Sequence, residues 1–240
     1  MGSDVLKVEL HTHTADDRFD RISYTGQQLV DRAAALGYDA LAITLHDQQL
    51  DLASLRPYAD ERGIVLIPGV EKTIEGKHVL LLNFDPAAER VDSFEALAKL
   101  RRDQNGIVVA PHPFFPAPSC LRGLMHRDAD LFDAVEYNGM FTRRVNFNGP
   151  AVAWAHRHGK PVVGNCDVHR LRQLGSTYSL VDADRSADAI CDAIRHGRVR
   201  IEARPLTMMA AATIIADLFI GDLFPRLPGN TTAARLRAGA

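Results

Sequence analysis

The feature that most constrains this chain is an alternation. Short runs of Val, Ile and Leu take turns with segments whose apolar residues recur at the helical period. Short buried runs separated by amphipathic stretches are the mark of parallel strands joined by crossover helices, so the expected class is α/β. Strands are expected near residues 5–11, 40–44, 65–70, 78–84, 107–110, 134–137, 161–164 and 199–203, and helices over 25–36, 52–62, 93–104, 150–158 and 186–196. Gly37, Gly63, Gly159 and Gly197 follow four of those helices, where a left-handed residue closes the last turn, and Ser93 and Ser186 stand at N-cap positions. The 240 residues suit one α/β barrel, a fold that commonly runs to about 250. No repeat or linker marks a boundary before Pro205. Residues 1–204 therefore read as one domain, and 205–240 as an apolar helix over 208–224 followed by a loosely ordered tail.

Charge narrows the partners. A net charge of −2 argues against a scaffold that works by broad phosphate neutralisation, so a small substrate is expected and no stable nucleic-acid complex. Cys120, Cys166 and Cys191 are widely spaced and odd in number, which suggests neither a disulfide framework nor a zinc knuckle and points to a reducing cytoplasm. The amino terminus carries Asp4, Lys7 and Glu9 and lacks the apolar run of an export signal. The 208–224 stretch contains Asp217 and Asp222 and falls short of the roughly 20 apolar residues of a bilayer span. A packed helix is the favoured reading there, and a membrane-surface or dimer-forming helix the lesser one. Oligomeric state is not legible.

The chemistry lies where the apolar runs end. His11 and His13 close the first strand two residues apart, so both imidazoles face one side of an extended chain and can share an ion. His46 follows the second strand, at what would be the catalytic rim of a barrel. Glu71 ends the third strand; the turn-like Ile74-Glu75-Gly76-Lys77 then leads to His78, and a hairpin would return both to one rim. Pro111-His112-Pro113 fixes the backbone on both sides of an imidazole, and Asp167 and His169 form a second same-side pair. Any one such histidine can be structural. Six at strand-to-loop junctions, with Glu71 and Asp167, point to a site for Mn²⁺, Fe²⁺ or Zn²⁺ built from mixed nitrogen and oxygen donors.

As an ordered series, His-x-His, Thr-x-His, Gly-Val-Glu, Lys-His-Val, Pro-His-Pro and Asp-x-His resemble the PHP family of polymerase and histidinol phosphatase domains, over residues 5–203. The resemblance implies a distorted (β/α)7 barrel, TIM-barrel-like, with two or three divalent ions at the C-terminal rim of the strands. It assigns His11, His13, Glu71 and Asp167 to a first ion, with Glu71 bridging to a second held by His78 and His112, and His46 and His169 to a third. The third ion should gain a ligand from the loop after His13, where Asp20 fits the spacing best and Asp17 is the runner-up. Leu45 and Cys166 stand where the family often has aspartate and serine. The activity implied is hydrolysis of a small phosphate ester (a nucleotide, a sugar phosphate or similar) by metal-activated water, with Glu71 positioning the ions that activate it. Arg143, Arg144 and Arg170 are candidate phosphate contacts by sequence proximity, with a solvated role equally open.

Rival readings are an amidohydrolase or TatD-like nuclease, whose barrels also open with His-x-His, and a non-catalytic metal-stabilised module. Amidohydrolases usually need a bridging lysine on a middle strand, and Lys72, directly after Glu71, would point to the opposite side.

Overall fold

The computed structural model describes residues 4–223. Among them, the strands are β1 (Asp4–Glu9), β2 (Ala40–Ile43), β3 (Val65–Ile74), β4 (Lys77–Leu82), β5 (Ile107–Ala110), β6 (Ala134–Asn138), β7 (Val162–Asn165), β8 (Thr177–Ala183) and β9 (Val199–Ala203). The helices are α1 (Gly26–Ala35), α2 (Arg56–Asp60), α3 (Phe94–Asp103), α4 (Leu124–Arg127), α5 (Gly149–His158), α6 (Ala187–Arg195) and α7 (Met208–Leu223). The loosely ordered tail expected beyond α7 lies outside the described residues.

All nine strands join one sheet in the order β7-β6-β5-β4-β3-β2-β1-β8-β9. β1, β2 and β3 run parallel, as do β5, β6 and β7; β4 is antiparallel to β3 and β5, and β8 to β1 and β9. The sheet curls into a nearly closed barrel. At its seam, Ser179 Oγ donates to the Gly164 carbonyl (3.1 Å) and accepts from the Gly164 amide (2.9 Å), joining β7 to β8. Gly164 permits this approach, since a Cβ there would lie 2.8 Å from the Tyr178 carbonyl oxygen.

Parallel strands covered on both faces have no polar side, which is why β2 (ALAI) and β5 (IVVA) are buried throughout. α6 lays Ile190 and Ile194 against Leu6, Val8, Ile67, Val109 and Val181. Arg195 of α6 also donates to the carbonyls of Asn105 and Gly106, just before β5. The helix therefore closes the barrel at the end opposite the carboxyl ends of the parallel strands.

The expected elements are present, with three main differences, the first being the short α4, which was not expected. β8 was not expected: its inward positions carry Thr177, Ser179, Val181 and Ala183, so this strand has alternation but no continuous apolar run. α2 is shorter than the 52–62 segment suggested, beginning only at Arg56 with Pro57 in its first turn. The two expected N-caps form, with Ser93 Oγ accepting from the Ala96 amide and Ser186 Oγ from Ala189 (both 3.2 Å); Thr25, expected as the first helical residue, instead caps α1 in a reciprocal capping box with Gln28. The β3–β4 hairpin turns through Glu75 (φ 50°) and Gly76 (φ 75°), the left-handed pair of a tight two-residue connection. α7 buries Ala211 and Ile214 and exposes Met208, Met209 and Ile215. No helix among the described residues is long and apolar enough to cross a membrane.

Candidate metal centre

Most of the functional side chains sit at or just beyond the carboxyl end of a parallel strand, while His78 stands at the amino end of the antiparallel β4. His11 and His13 follow β1, His46 follows β2, Glu71 lies within the extended β3, and His112 and Asp167 follow β5 and β7. His78 arrives from β4, where the hairpin pairs it with Thr73 two residues beyond Glu71. Glu71 is the hub. Its Oε1 lies 2.7 Å from His78 Nδ1 and 3.3 Å from His112 Nε2, and its Oε2 lies 3.1, 3.3 and 3.2 Å from the Nε2 atoms of His11, His13 and His46. Asp167 Oδ1 lies 3.3 Å from His11 Nε2, 3.7 Å from His13 Nε2 and 3.3 Å from His169 Nδ1. His169 Nε2 meets Asp20 Oδ2 at 2.7 Å, and that oxygen is 3.6 Å from His46 Nδ1. The structure thus gathers His11, His13, Asp20, His46, Glu71, His78, His112, Asp167 and His169 into one cluster.

The other ring nitrogens decide what this cluster can hold. An ionised carboxylate only accepts, so His11 Nδ1 donates to Glu136 Oε1 (2.8 Å), and the Nδ1 atoms of His13 and His46 donate to the same Asp17 oxygen, Oδ2 (3.0 Å each). Three imidazoles therefore turn an Nε2 lone pair toward an anionic Glu71 oxygen. Acceptor facing acceptor is unfavourable unless a proton or a cation lies between. His13 Nε2 and Asp167 Oδ1 are both buried and, among the described residues, have no hydrogen-bond partner of good geometry. A carboxylate behind each imidazole, with the distal nitrogens converging on further carboxylates, is the donor arrangement of a divalent metal site, and these residues fit such ions. Among the described residues, four sets each have their donor atoms within 4.8 Å of one another: His13/Asp20/His46/His169, His11/His112/Glu136, His11/His13/Glu71 and His46/Glu71/His78.

Electrostatics follow from this crowding. Burial opposes charge on His13, yet Asp167, Asp17 and Glu71 push its pKa up to about 10. His169, also opposed by burial and by His13, is raised to about 8 by Asp167 and Asp20. Burial likewise works against ionising Glu71, but His11, His46 and His78 hold it well below the usual carboxylate range. Glu9, beneath the site, is raised to about 8 mainly by burial, although the amides of Cys166 and His11 donate to it.

The backbone is bent to deliver these groups: His112 (φ 30°), Asp47 (φ 51°) and Asp167 (φ 52°) are non-glycine residues at positive φ. The His112 turn is held by its amide, which donates to Glu136 Oε2 (2.7 Å). The Asp167 turn is held by Gln173 Nε2, which donates to the Asp167 carbonyl (3.0 Å).

Glu136 and Asn138 were not expected from sequence. Glu136 also accepts from Asn138 Nδ2 and Asn165 Nδ2 (3.0 Å each), so it organises four elements of the site. Its only sequence signal was a charge inside the apolar β6 run. The three candidate arginines, by contrast, stand apart from the metal cluster. Arg170 is taken up by carbonyls, donating to His169 (2.9 Å), Arg21 (3.3 Å) and Asp217 (3.1 Å), which braces the His169 loop against α7. Arg143 and Arg144 line a different cavity, with Arg204 and Thr207, because the Thr142 turn pairs with Leu206 and leads the chain away. Among the described residues, no arginine or lysine lines the cleft over the metal cluster.

Residues 146–199 match the family described as PHP-associated. No curated protein matches the chain in sequence. Among solved structures, a two-domain protein from Bacteroides vulgatus containing a predicted PHP-like metal-dependent phosphoesterase is similar at 19% identity and TM-score 0.66, over 90% of this chain and 71% of that one. PsfC from Pseudomonas syringae is similar at 17% identity and TM-score 0.63, over 93% and 100%. A lesion-specific endonuclease from Pyrococcus furiosus is similar at 16% identity and TM-score 0.54, over 88% and 66%. The sequence resemblance to the PHP family, and the distorted barrel that it implies, are borne out.

Proposed function

From a chain with a PHP-like fold and a PHP-associated segment, we propose a metal-dependent phosphoesterase that hydrolyses a small phosphate ester. One observation carries this reading: the two oxygens of Glu71 are divided between two groups of imidazoles, Oε1 toward His78 and His112 and Oε2 toward His11, His13 and His46. A carboxylate so divided would offer one oxygen to each of two neighbouring cation positions. His11, His13 and Asp167 would complete the first position, His78 and His112 the second, and His46, His169 and Asp20 the third. Mn²⁺, Fe²⁺ or Zn²⁺ suits these donors.

Divalent ions, when bound, supply a water acidified toward neutrality and neutralise developing charge on phosphate oxygens. The chain's own residues supply the rest. Asp17 and Glu136 hold three rings in one tautomer, so each Nε2 is free to act as a donor atom. Asn138 Nδ2 donates to Asp167 Oδ2 (3.3 Å) and keeps Oδ1 turned toward the imidazoles. His78 (21% exposed) stands at the accessible edge of the cluster together with Asp167 (24%) and Asp20 (29%).

The test is metal analysis of the purified protein coupled to a phosphate-release screen. p-Nitrophenyl phosphate, its bis ester, an oligonucleotide and an amide are assayed side by side with each metal. Phosphate-ester turnover lost in EDTA and restored by metal supports the proposal, and amide turnover alone overturns it. The Pyrococcus endonuclease shares the fold, so the oligonucleotide arm separates a nuclease from a small-ester phosphatase. Metal that restores stability but never turnover identifies a structural module.

A further inference from the structure

The cleft over the metal cluster has a volume of about 260 Å³. Its lining includes His46, Glu71, His78, His112, Asp167 and His169. The rest of the lining mixes polar Ser119, Asn138 and Gln173 with an apolar group, Phe115, Ala117 and Met140. Phe115 is the one phenyl ring among the described residues that line it.

Phe115 is built as a fixed surface. Its amide donates to the His112 carbonyl (3.1 Å), and its own carbonyl accepts from Arg122 Nε (3.3 Å) and Nη2 (3.2 Å). Its ring lies 6.3 Å from the His112 imidazole and 5.5 Å from Phe147, which is 39% exposed. Phe147 is set by its own loop, where Asn146 Nδ2 donates to Tyr137 Oη (3.0 Å) and the Asn148 amide donates to Asn146 Oδ1 (2.9 Å). Two aromatic rings thus stand in series outward from a metal ligand. Aromatic rings pack offset or edge-on at centroid separations of about 4.5–7 Å, so a flat ring in the cleft can pack against Phe115 in the same way.

We infer that Phe115 is a specificity-determining residue and that the substrate is a phosphate ester carrying a planar aromatic group, with the phosphate on the metal cluster and the ring against Phe115. The inference rests on the phosphoesterase reading. The shared chemistry is the flat ring, which a nucleobase or a simple aryl group could supply.

The experiment measures kcat and KM for phosphate release by the metal-loaded full chain from a nucleoside monophosphate, phenyl phosphate, ribose 5-phosphate and glycerol 3-phosphate. It compares wild type with Phe115→Ala and Phe115→Tyr. Stacking on one aromatic side chain is worth about a tenfold change in affinity or more. The wild type is therefore expected to favour a ring-bearing ester over ribose 5-phosphate by about tenfold in KM. Phe115→Ala is expected to abolish that preference and Phe115→Tyr to keep it. Preference for the nucleotide over phenyl phosphate identifies the ring as a base, and the reverse identifies an aryl group. Equal KM for ringed and ringless esters in the wild type, or Phe115→Ala raising both alike, overturns the inference while leaving the phosphoesterase reading intact. If no ester is turned over, that reading fails, and calorimetric binding of the same four compounds decides the inference: a ring preference lost in Phe115→Ala supports it, and its absence overturns it.

Discussion

Replacing Asp17 by Asn keeps the side chain's size and removes one acceptor from a buried crossing point. Asp17 Oδ2 serves His13 Nδ1, His46 Nδ1 and the His46 amide (3.0 Å each), and Oδ1 serves the amides of Phe19 (2.9 Å) and Asp20 (3.0 Å). An asparagine must turn its NH₂ to one of these sets, so in either orientation at least two donors face a donor. Asp17 is 1% exposed, which leaves no water to relieve the conflict. A hydrogen bond to a charged group is worth roughly 1.5–3 kcal/mol, so two lost bonds, partly relaxed, should cost the metal-free protein about 3 kcal/mol. With His13 and His46 no longer held in one tautomer, metal affinity should fall about 10- to 100-fold. Urea unfolding in EDTA reads the first effect, and calorimetric Mn²⁺ or Zn²⁺ titration with metal counting reads the second. Wild-type affinity in Asp17→Asn would refute the tautomer argument. Loss of a whole equivalent of metal in Asp17→Asn but not in Asp20→Asn would make Asp17 the ligand and Asp20 the bystander.

Glu136→Ala should weaken metal binding by a similar 10- to 100-fold, because it strips the partner of His11 Nδ1 and of the His112 amide; the same titration checks it. In the metal-free protein, His13 titrates near 10 and His169 near 8, above the ~6.5 of an unfolded chain. Their stabilisation is complete below about pH 6.5 and is lost as pH rises through 8 and then 10, so EDTA-treated protein should lose stability over that window in unfolding measurements. Metal must displace the same protons, so affinity should rise with pH over the same range, and calorimetry at pH 7.5 in buffers of different ionisation enthalpy should show proton release on binding. Gly164→Ala would place a Cβ 2.8 Å from the Tyr178 carbonyl oxygen and pry β7 from β8; a loss of about 1–3 kcal/mol in urea unfolding is expected.

The sequence alone determined the α/β class, most element positions, and the histidines and acids that the pocket collects, because each is a local property. Apolar period separates strand from helix, and a polar residue ending an apolar run stands out against its neighbours. The spacing of His11 and His13, or of Asp167 and His169, likewise dictates a shared face. Tertiary structure decided what no local pattern encodes. β8 is a strand because its small polar residues pair with β1 and seal the barrel, so its evidence lies in its partners. Glu136 matters because folding sets it behind His11, 125 residues away, and Asp17 because one of its oxygens meets two imidazoles from different strands. Arg170 adjoins a ligand along the chain and Arg143 and Arg144 lie in the loop after β6, but position in sequence does not set direction: backbone carbonyls claimed Arg170, and a turn carried Arg143 and Arg144 elsewhere. Residue type and spacing thus name the donors, whereas the second partner of each donor, which fixes its tautomer and its aim, comes from whatever the fold packs behind it.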